Sequence, residues 1–235
     1  MKYLSGRTRL LSLMTVLALL FTLAGNVAAF TDDAAIAQPY RSATAQMTGR
    51  GVINGFPDGS FRPLGTLTRE QGAKMASRMV LGGKVDSLRC DAAPFADVAA
   101  DRWSAPCIAW CVEHEILLGY GDGRFGPEDL LTGDQYAKML LCALELARAG
   151  NYAGLGAAWS AAVREDGAAI SLYRGDPAMA TDLPINRQQA ALMTSNALLA
   201  AKRPLDPANP VPVPTPPPPS PDDSGGSDVV TPEVP

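Results

Sequence analysis

The chain repeats itself. Residues 51–76, GVINGFPDGSFRPLGTLTREQGAKMA, laid over residues 115–140, EILLGYGDGRFGPEDLLTGDQYAKML, give 11 identities in 26 ungapped positions. The shared residues include Gly55 with Gly119, Asp58 with Asp122, Gly59 with Gly123, Thr68 with Thr132 and Lys74 with Lys138. Upstream, Phe95, Asp97 and Trp103 answer to Phe30, Asp32 and, after a slip of one residue, Tyr40. A third, weaker copy is visible where PINRQQAALM at 184–193 aligns with TLTREQGAKM at 66–75, with Trp159 in the place of Trp103. It has lost the Asp-Gly-x-Phe loop and carries YRGDPAMATD instead. Three such units constrain the fold strongly, because a unit this small buries its apolar face only against its neighbours.

Each unit reads as helix, loop, helix. Between Trp103 and Ile116 the apolar residues Trp103, Ile108, Cys111 and Val112 fall at helical spacing, and 119–127 is dense in turn residues. The second helix has a start signal in every unit: Thr68 with Gln71, Thr132 with Gln135 and Asn186 with Gln189 stand at the spacing of a capping box. Ala73, Met75, Ala76 and Met79, with Met139, Leu140 and Cys142 in the next unit, supply a buried stripe. The predicted fold class is mainly α.

The ends differ from the middle. Lys2, Arg7 and Arg9 precede the apolar run LLSLMTVLALLFTLAG and the small residues Val27, Ala28 and Ala29, the plan of a secretory signal peptide over 1–29. The run is shorter than the roughly 20 residues of a membrane span, so no stable span is expected after cleavage. Twelve of the 20 prolines lie in 202–235, which predicts a disordered, extended polyproline spacer. The repeats fill 30–80, 90–147 and, in degenerate form, 148–201. The stretch 30–201 carries 15 Lys and Arg against 19 Asp and Glu without a basic run, which disfavours nucleic acid as a partner. One histidine, His114, argues against His-based metal sites and Ser-His-Asp catalysis.

The run FADVAADRWSAPCIAWCVEHEILLGYGDGRFGPEDLLTGDQYAKML resembles an S-layer homology repeat in its Phe-x-Asp-Val, its spaced Trp, its Gly-Tyr-x-Asp-Gly-x-Phe-x-Pro loop and its helix start. Residues 30–80 are similar to another such repeat and 150–200 to a degenerate third. The resemblance implies a three-repeat module folded as a pseudo-threefold helical prism. It also implies grooves between units that bind pyruvylated secondary cell-wall polysaccharide and hold an exported protein non-covalently at the wall or S-layer.

Several residues are candidates for that role. Arg69 and Arg187 follow directly on the cap residues Thr68 and Asn186, where the helix dipole disfavours a cation. A cation placed there twice can clamp an anion together with the free N–H groups of the helix start; the alternative is a surface arginine. Arg also offers a planar fork for a carboxylate. In the second unit the position is Gly133, followed by Asp134, so at most two sites are expected to be competent. Trp103 and Trp159 can present ring faces to a sugar or pack in the core. Thr68 and Asp97 join the candidates, and Gly59 and Gly123 are expected to let the backbone approach a ligand. Asp58 and Asp122 read as turn residues rather than calcium ligands, since the other oxygen ligands of an EF-hand loop are missing. No metal and no cofactor is expected.

Cys90, Cys107, Cys111 and Cys142 suggest at least one disulfide in an exported chain, with Cys107 and Cys111 bridging outward rather than to each other. A zinc site and simple burial are the alternatives. Three functions fit these residues: a non-catalytic wall-binding module; an extracellular scaffold whose Pro-rich tail recruits a protein partner; and an enzyme using a carboxylate pair such as Asp97 and Asp122. The first is favoured. The same carboxylates recur in the first unit as Asp32 and Asp58, as structural turns do and catalytic pairs seldom do.

Overall fold

The computed structural model describes residues 30–147, 152 and 158–201. The expected signal peptide, the expected proline-rich spacer and part of the third unit lie outside the described residues. Six α-helices stand among these residues: α1 (Gln38–Gly49), α2 (Arg69–Leu81), α3 (Ala105–Glu113), α4 (Gly133–Ala143), α5 (Trp159–Ala169) and α6 (Arg187–Ala200). Each unit contributes a consecutive pair, and only isolated bridges represent β-structure. The chain is mainly α, in agreement with the sequence.

The starts of α2, α4 and α6 lie where the caps place them. Thr132 Oγ1 accepts from Gln135 N at 3.2 Å while Gln135 Oε1 accepts from Thr132 N at 3.0 Å. Asn186 and Gln189 make the same reciprocal pair at 3.0 and 3.1 Å. At Thr68 only the Gln71 half closes, at 3.1 Å, and the buried Thr68 hydroxyl has no hydrogen-bond partner. Helix α3 is shorter than the apolar spacing predicted: Pro106 is tolerated only in the first turn, and Glu115 takes φ 54° just past the end. Trp103 is therefore left outside the helix and half exposed.

The principal helix contacts run between units. Helix α3 packs on α2, α5 on α4 and α1 on α6, while the second helices meet as α2 on α4 and α4 on α6. The predicted stripe of Ala73, Met75, Ala76, Met79, Met139, Leu140 and Cys142 is buried throughout. At the centre the backbone closes a ring: Leu67 N donates to Ile185 O at 3.1 Å, Ile185 N to Leu131 O at 3.0 Å, and Leu131 N to Leu67 O at 2.8 Å. These three side chains are at most 1% exposed, and each contributes about 1.5–3 kcal/mol by its burial. The first N–H groups of the second helices obey the same threefold rule. Arg69 N and Glu70 N donate to Asp129 O and Pro127 O, Gly133 N and Asp134 N to Leu183 O and Thr181 O, Arg187 N and Gln188 N to Gly65 O and Pro63 O. Each helix start is thus seated on its neighbour's loop.

Side chains reinforce this seating. Glu70, buried, accepts from Arg102 Nε at 2.8 Å and Ser104 Oγ at 2.6 Å in the second unit. Asp134 accepts from Arg164 Nη2 at 2.6 Å in the third, and Gln188 Oε1 from Ala37 N at 3.1 Å in the first.

The cysteines differ from expectation: all four are free. Cys107 and Cys111 are buried on α3, with Cys111 Sγ 3.5 Å from Ala73 O of α2. Cys142 is buried near the end of α4, and Cys90 Sγ turns to Ala92 O at 3.0 Å. Burial pushes the Cys142 thiol up to about 12 and raises Cys107 and Cys111 as well.

Candidate functional site

Two cavities related by the repeat open between units. The first, about 300 Å³, lies where the start of α6 meets the loop of the first unit and α2, with Trp103 at its side. The second, about 360 Å³, lies where the start of α2 meets the loop of the second unit and α4, with Trp159 at its side. Gln71, Lys74 and Met75 of the first stand where Gln135, Lys138 and Met139 stand in the second. Arg187 and Arg69 correspond in the same way.

The arginines are buried, not on the surface. Arg69 is 6% and Arg187 8% exposed. Arg69 donates from Nε to Phe125 O at 2.9 Å and from Nη2 to Leu118 O at 3.1 Å, and its guanidinium lies 4.6 Å from the ring centres of Tyr120 and Phe125. Arg187 repeats this with Phe61 O, Asn54 O and the rings of Phe56 and Phe61. Each holds the loop of the next unit in shape. Neither takes part in an ion pair among the described residues, so each is a desolvated positive charge balanced by carbonyl dipoles and ring faces. Burial, with the nearby charge of Arg62, pushes Arg187 down to about 10 against the pull of Asp32. Burial likewise lowers Arg69, which Tyr120, Asp129 and Asp97 counter. The expected clamp of free helix N–H groups is absent, because those N–H groups are given to neighbouring carbonyls.

The lysines face the aromatic side of each cavity. Lys74 Nζ is 5.0 Å from the Trp103 ring centre; Lys138 Nζ is 6.0 Å from that of Trp159 and 5.8 Å from that of Tyr152. Burial lowers Lys138, and the neighbouring Arg69 adds to this. Gln71 and Gln135 spend their carbonyl oxygens on the caps, which leaves their amide N–H groups for the cavity. Each cavity thus combines a cationic floor, an indole that is half exposed at Trp103 and partly buried at Trp159, and amide donors, with no Asp or Glu in its lining. That set suits a sugar ring bearing an acidic group.

Other predicted contacts lie elsewhere. Asp97 accepts from Phe125 N and Gly126 N at 2.8 Å each, and Asp32 from Phe61 N and Arg62 N at 2.7 Å each, so these carboxylates clamp loops rather than line a cavity. Gly59 and Gly123 also stand away from the linings; their φ values of 79° and 83° meet the demand of a tight turn. The glycines at the cavities are Gly55 and Gly119, where an added Cβ would meet Phe30 at 2.5 Å and Phe95 at 2.4 Å. Thr68 serves the helix start. Asp58 is taken up by Ser60 and Arg62, and Asp122 by Arg124, within their own turns. Sequence reasoning missed Lys74 and Lys138 as site residues, although their identity across the repeat was the available signal.

The third groove is closed by the chain itself. Where the arginine would stand, an atom added to Gly133 would meet Thr181 Cα at 2.8 Å and Thr181 O at 2.9 Å. Where the lysine would stand is Leu192, beside Gly175. Tyr40, in the tryptophan position, gives its hydroxyl to Asp176 Oδ2 at 2.6 Å. The position that lacks arginine in the second unit thus faces the loop that lacks Asp-Gly-x-Phe in the third.

Comparison with known proteins agrees with this geometry. The sequence model of the S-layer homology domain matches residues 29–73 and 94–137. Cell surface glycoprotein 1 of Acetivibrio thermocellus is 33% identical over 92 residues, 39% of this chain and 4% of that protein. The Surface-layer 125 kDa protein of Lysinibacillus sphaericus is 29% identical over 171 residues, 67% of this chain and 14% of that protein. The Cellulosome-anchoring protein of Acetivibrio thermocellus is 26% identical over 93 residues, 40% and 21% of the two chains. The chain therefore spans only a small part of each relative's length. Two of the three units thus match the S-layer homology domain, and the third is seated by the same hydrogen bonds.

Proposed function

We propose that this chain is a non-catalytic module that anchors at the bacterial cell surface by binding an acidic, pyruvylated cell-wall polysaccharide in its two open grooves. The relatives named for surface layers and for cellulosome anchoring support surface attachment. The observation that carries the reading is the pair of cavities, each with a buried arginine outside any ion pair among the described residues and a lysine beside a tryptophan. A pyruvate ketal presents one carboxylate to such a floor while its sugar ring lies against the indole. Residues 1–29 direct export in this reading, and 202–235 form a spacer.

The test is co-sedimentation of the full chain with cell-wall sacculi, native or stripped of secondary polymer, alongside a Lys74→Ala, Trp103→Ala, Lys138→Ala, Trp159→Ala variant. Binding that needs both the polymer and these four side chains is the expected result. Undiminished binding by a folded quadruple variant would refute it. That outcome would favour the scaffold reading, for which the structural duty of Arg69 and Arg187 already speaks.

A further inference from the structure

The two open grooves are not copies in charge. Their linings diverge at the last turn of the second helix, where the first groove has Arg78 and the repeat places Cys142 in the second unit and Asn196 in the third. The fold accepts either neutral residue there: Cys142 is buried, and Asn196 gives its amide to Leu172 O and Arg174 O. Arg78 keeps one comparable tie, from Nη1 to Gly51 O at 2.9 Å. Its positive charge goes beyond what the position requires. Among the described residues the acid paired with it, Asp86, is 3.5 Å from Nη2 with its side chain 72% exposed, too wet and too distant to neutralise it well. The Arg78 side chain is 19% exposed, and its Nε is buried without a hydrogen-bond partner. A guanidinium N–H left so at the edge of a cavity lacks an acceptor.

The first groove thus gathers Arg187, Lys74 and Arg78, and the second only Arg69 and Lys138. The second has instead two tyrosines, Tyr120 and Tyr152, and Leu118 where the first has Asn54. We propose that the first groove selects a glycan segment carrying two negative charges, with Arg78 as the residue that reads the second charge, while the second groove takes a singly charged, more apolar segment. This rests on the anchoring function proposed above and divides it between unlike subsites. The second charge can be a neighbouring carboxylate or the second ionisation of a phosphate monoester, which share the chemistry Arg78 recognises.

Calorimetric titration of the full chain tests it with three probes: galacturonic acid, digalacturonic acid and mannose 6-phosphate. The Lys138→Ala, Trp159→Ala variant reports the first groove and the Lys74→Ala, Trp103→Ala variant the second. The first groove is expected to bind one or both of the doubly charged probes at least about tenfold more tightly than galacturonic acid, and the second to discriminate less than about threefold, an added charge-assisted contact being the difference. Preference for digalacturonic acid alone identifies paired carboxylates, and for mannose 6-phosphate alone a phosphate. Arg78→Gln should abolish the preference and Arg78→Lys should keep part of it; the lysine variant carries the test if the glutamine variant fails to fold. Equal discrimination by both grooves, an unchanged preference in Arg78→Gln, or binding of no probe overturns the proposal. Sacculus binding by the same variants separates the two levels: if Lys74, Trp103, Lys138 and Trp159 still prove necessary there, the anchoring function stands and only the charge assignment falls.

Discussion

Replacing Arg69 with alanine should destabilise the module itself, whatever it does to ligand binding. The guanidinium donates to two backbone carbonyls of the neighbouring loop, Phe125 O and Leu118 O. Hydrogen bonds from a charged donor contribute about 1.5–3 kcal/mol each, and their loss here leaves acceptors in a largely buried place. The two ring contacts at 4.6 Å add about 0.5–1 kcal/mol each. Against this stands relief from burying a charge, several kcal/mol for an ion wholly out of water and less at a cavity edge. A net loss of about 3 kcal/mol follows. For a chain of this size that lowers Tm by about 6–12 °C. Lys138→Ala, at the same cavity, loses no hydrogen bond among the described residues and should cost less than about 1 kcal/mol. Thermal and urea unfolding of the full chain checks both. A Tm shift under about 2 °C for Arg69→Ala would show that the loop does not depend on the arginine and that its burial serves the ligand alone.

Three further outcomes are expected. Asp32 and Asp97 have pKa values below the usual carboxylate range, held down by loop N–H donors although burial opposes this at both, most at Asp97; folded pKa lies below unfolded pKa, so their contribution is present above about pH 4 and fades below it. Urea midpoints of Asp97→Asn and the parent should therefore differ at pH 7 and converge towards pH 2. Gly133→Ala places a carbon on the Thr181 backbone and should cost about 1–3 kcal/mol as an overpacking change, measured by denaturation, while Gly133→Arg should not restore a third groove. With four free cysteines, intact mass should not change on reduction, and thiol titration should find all four in denaturant but chiefly the half-buried Cys90 in the native state.

Much of this architecture was legible from residue spacing. The start of each second helix could be read from Thr68, Thr132 and Asn186 with their glutamines, because a cap is a local bond between residues three apart. The buried methionine stripe was legible for the same reason. The role of Arg69 was not: its partners lie 49 and 56 residues away, and the adjacent cap suggested a surface position that tertiary packing overrides. Asp97 misled in the same direction, since a carboxylate that clamps a loop and one that meets a sugar look alike in sequence. The departure at Gly133 was visible, but its closure by Thr181 depends on a contact between units. For the cysteines the compartment suggests a disulfide, whereas the structure has all four free and three of them buried.

The ring through Leu67, Ile185 and Leu131 joins the first unit directly to the third. An open solenoid has end repeats that can fray independently, and it needs polar caps to cover them. Here no unit is terminal, so fraying one breaks two backbone bonds and exposes two helix starts. Closing the circuit brings together segments remote in the chain, a high contact order that slows folding and makes it depend on all three units. The mechanical consequence suits a tether: tension entering through α6 passes by the ring and by α1 to all three units instead of peeling one away. The degenerate third unit, which lends Arg187 to the first groove and Trp159 to the second, is also the keystone that lets the other two bear load.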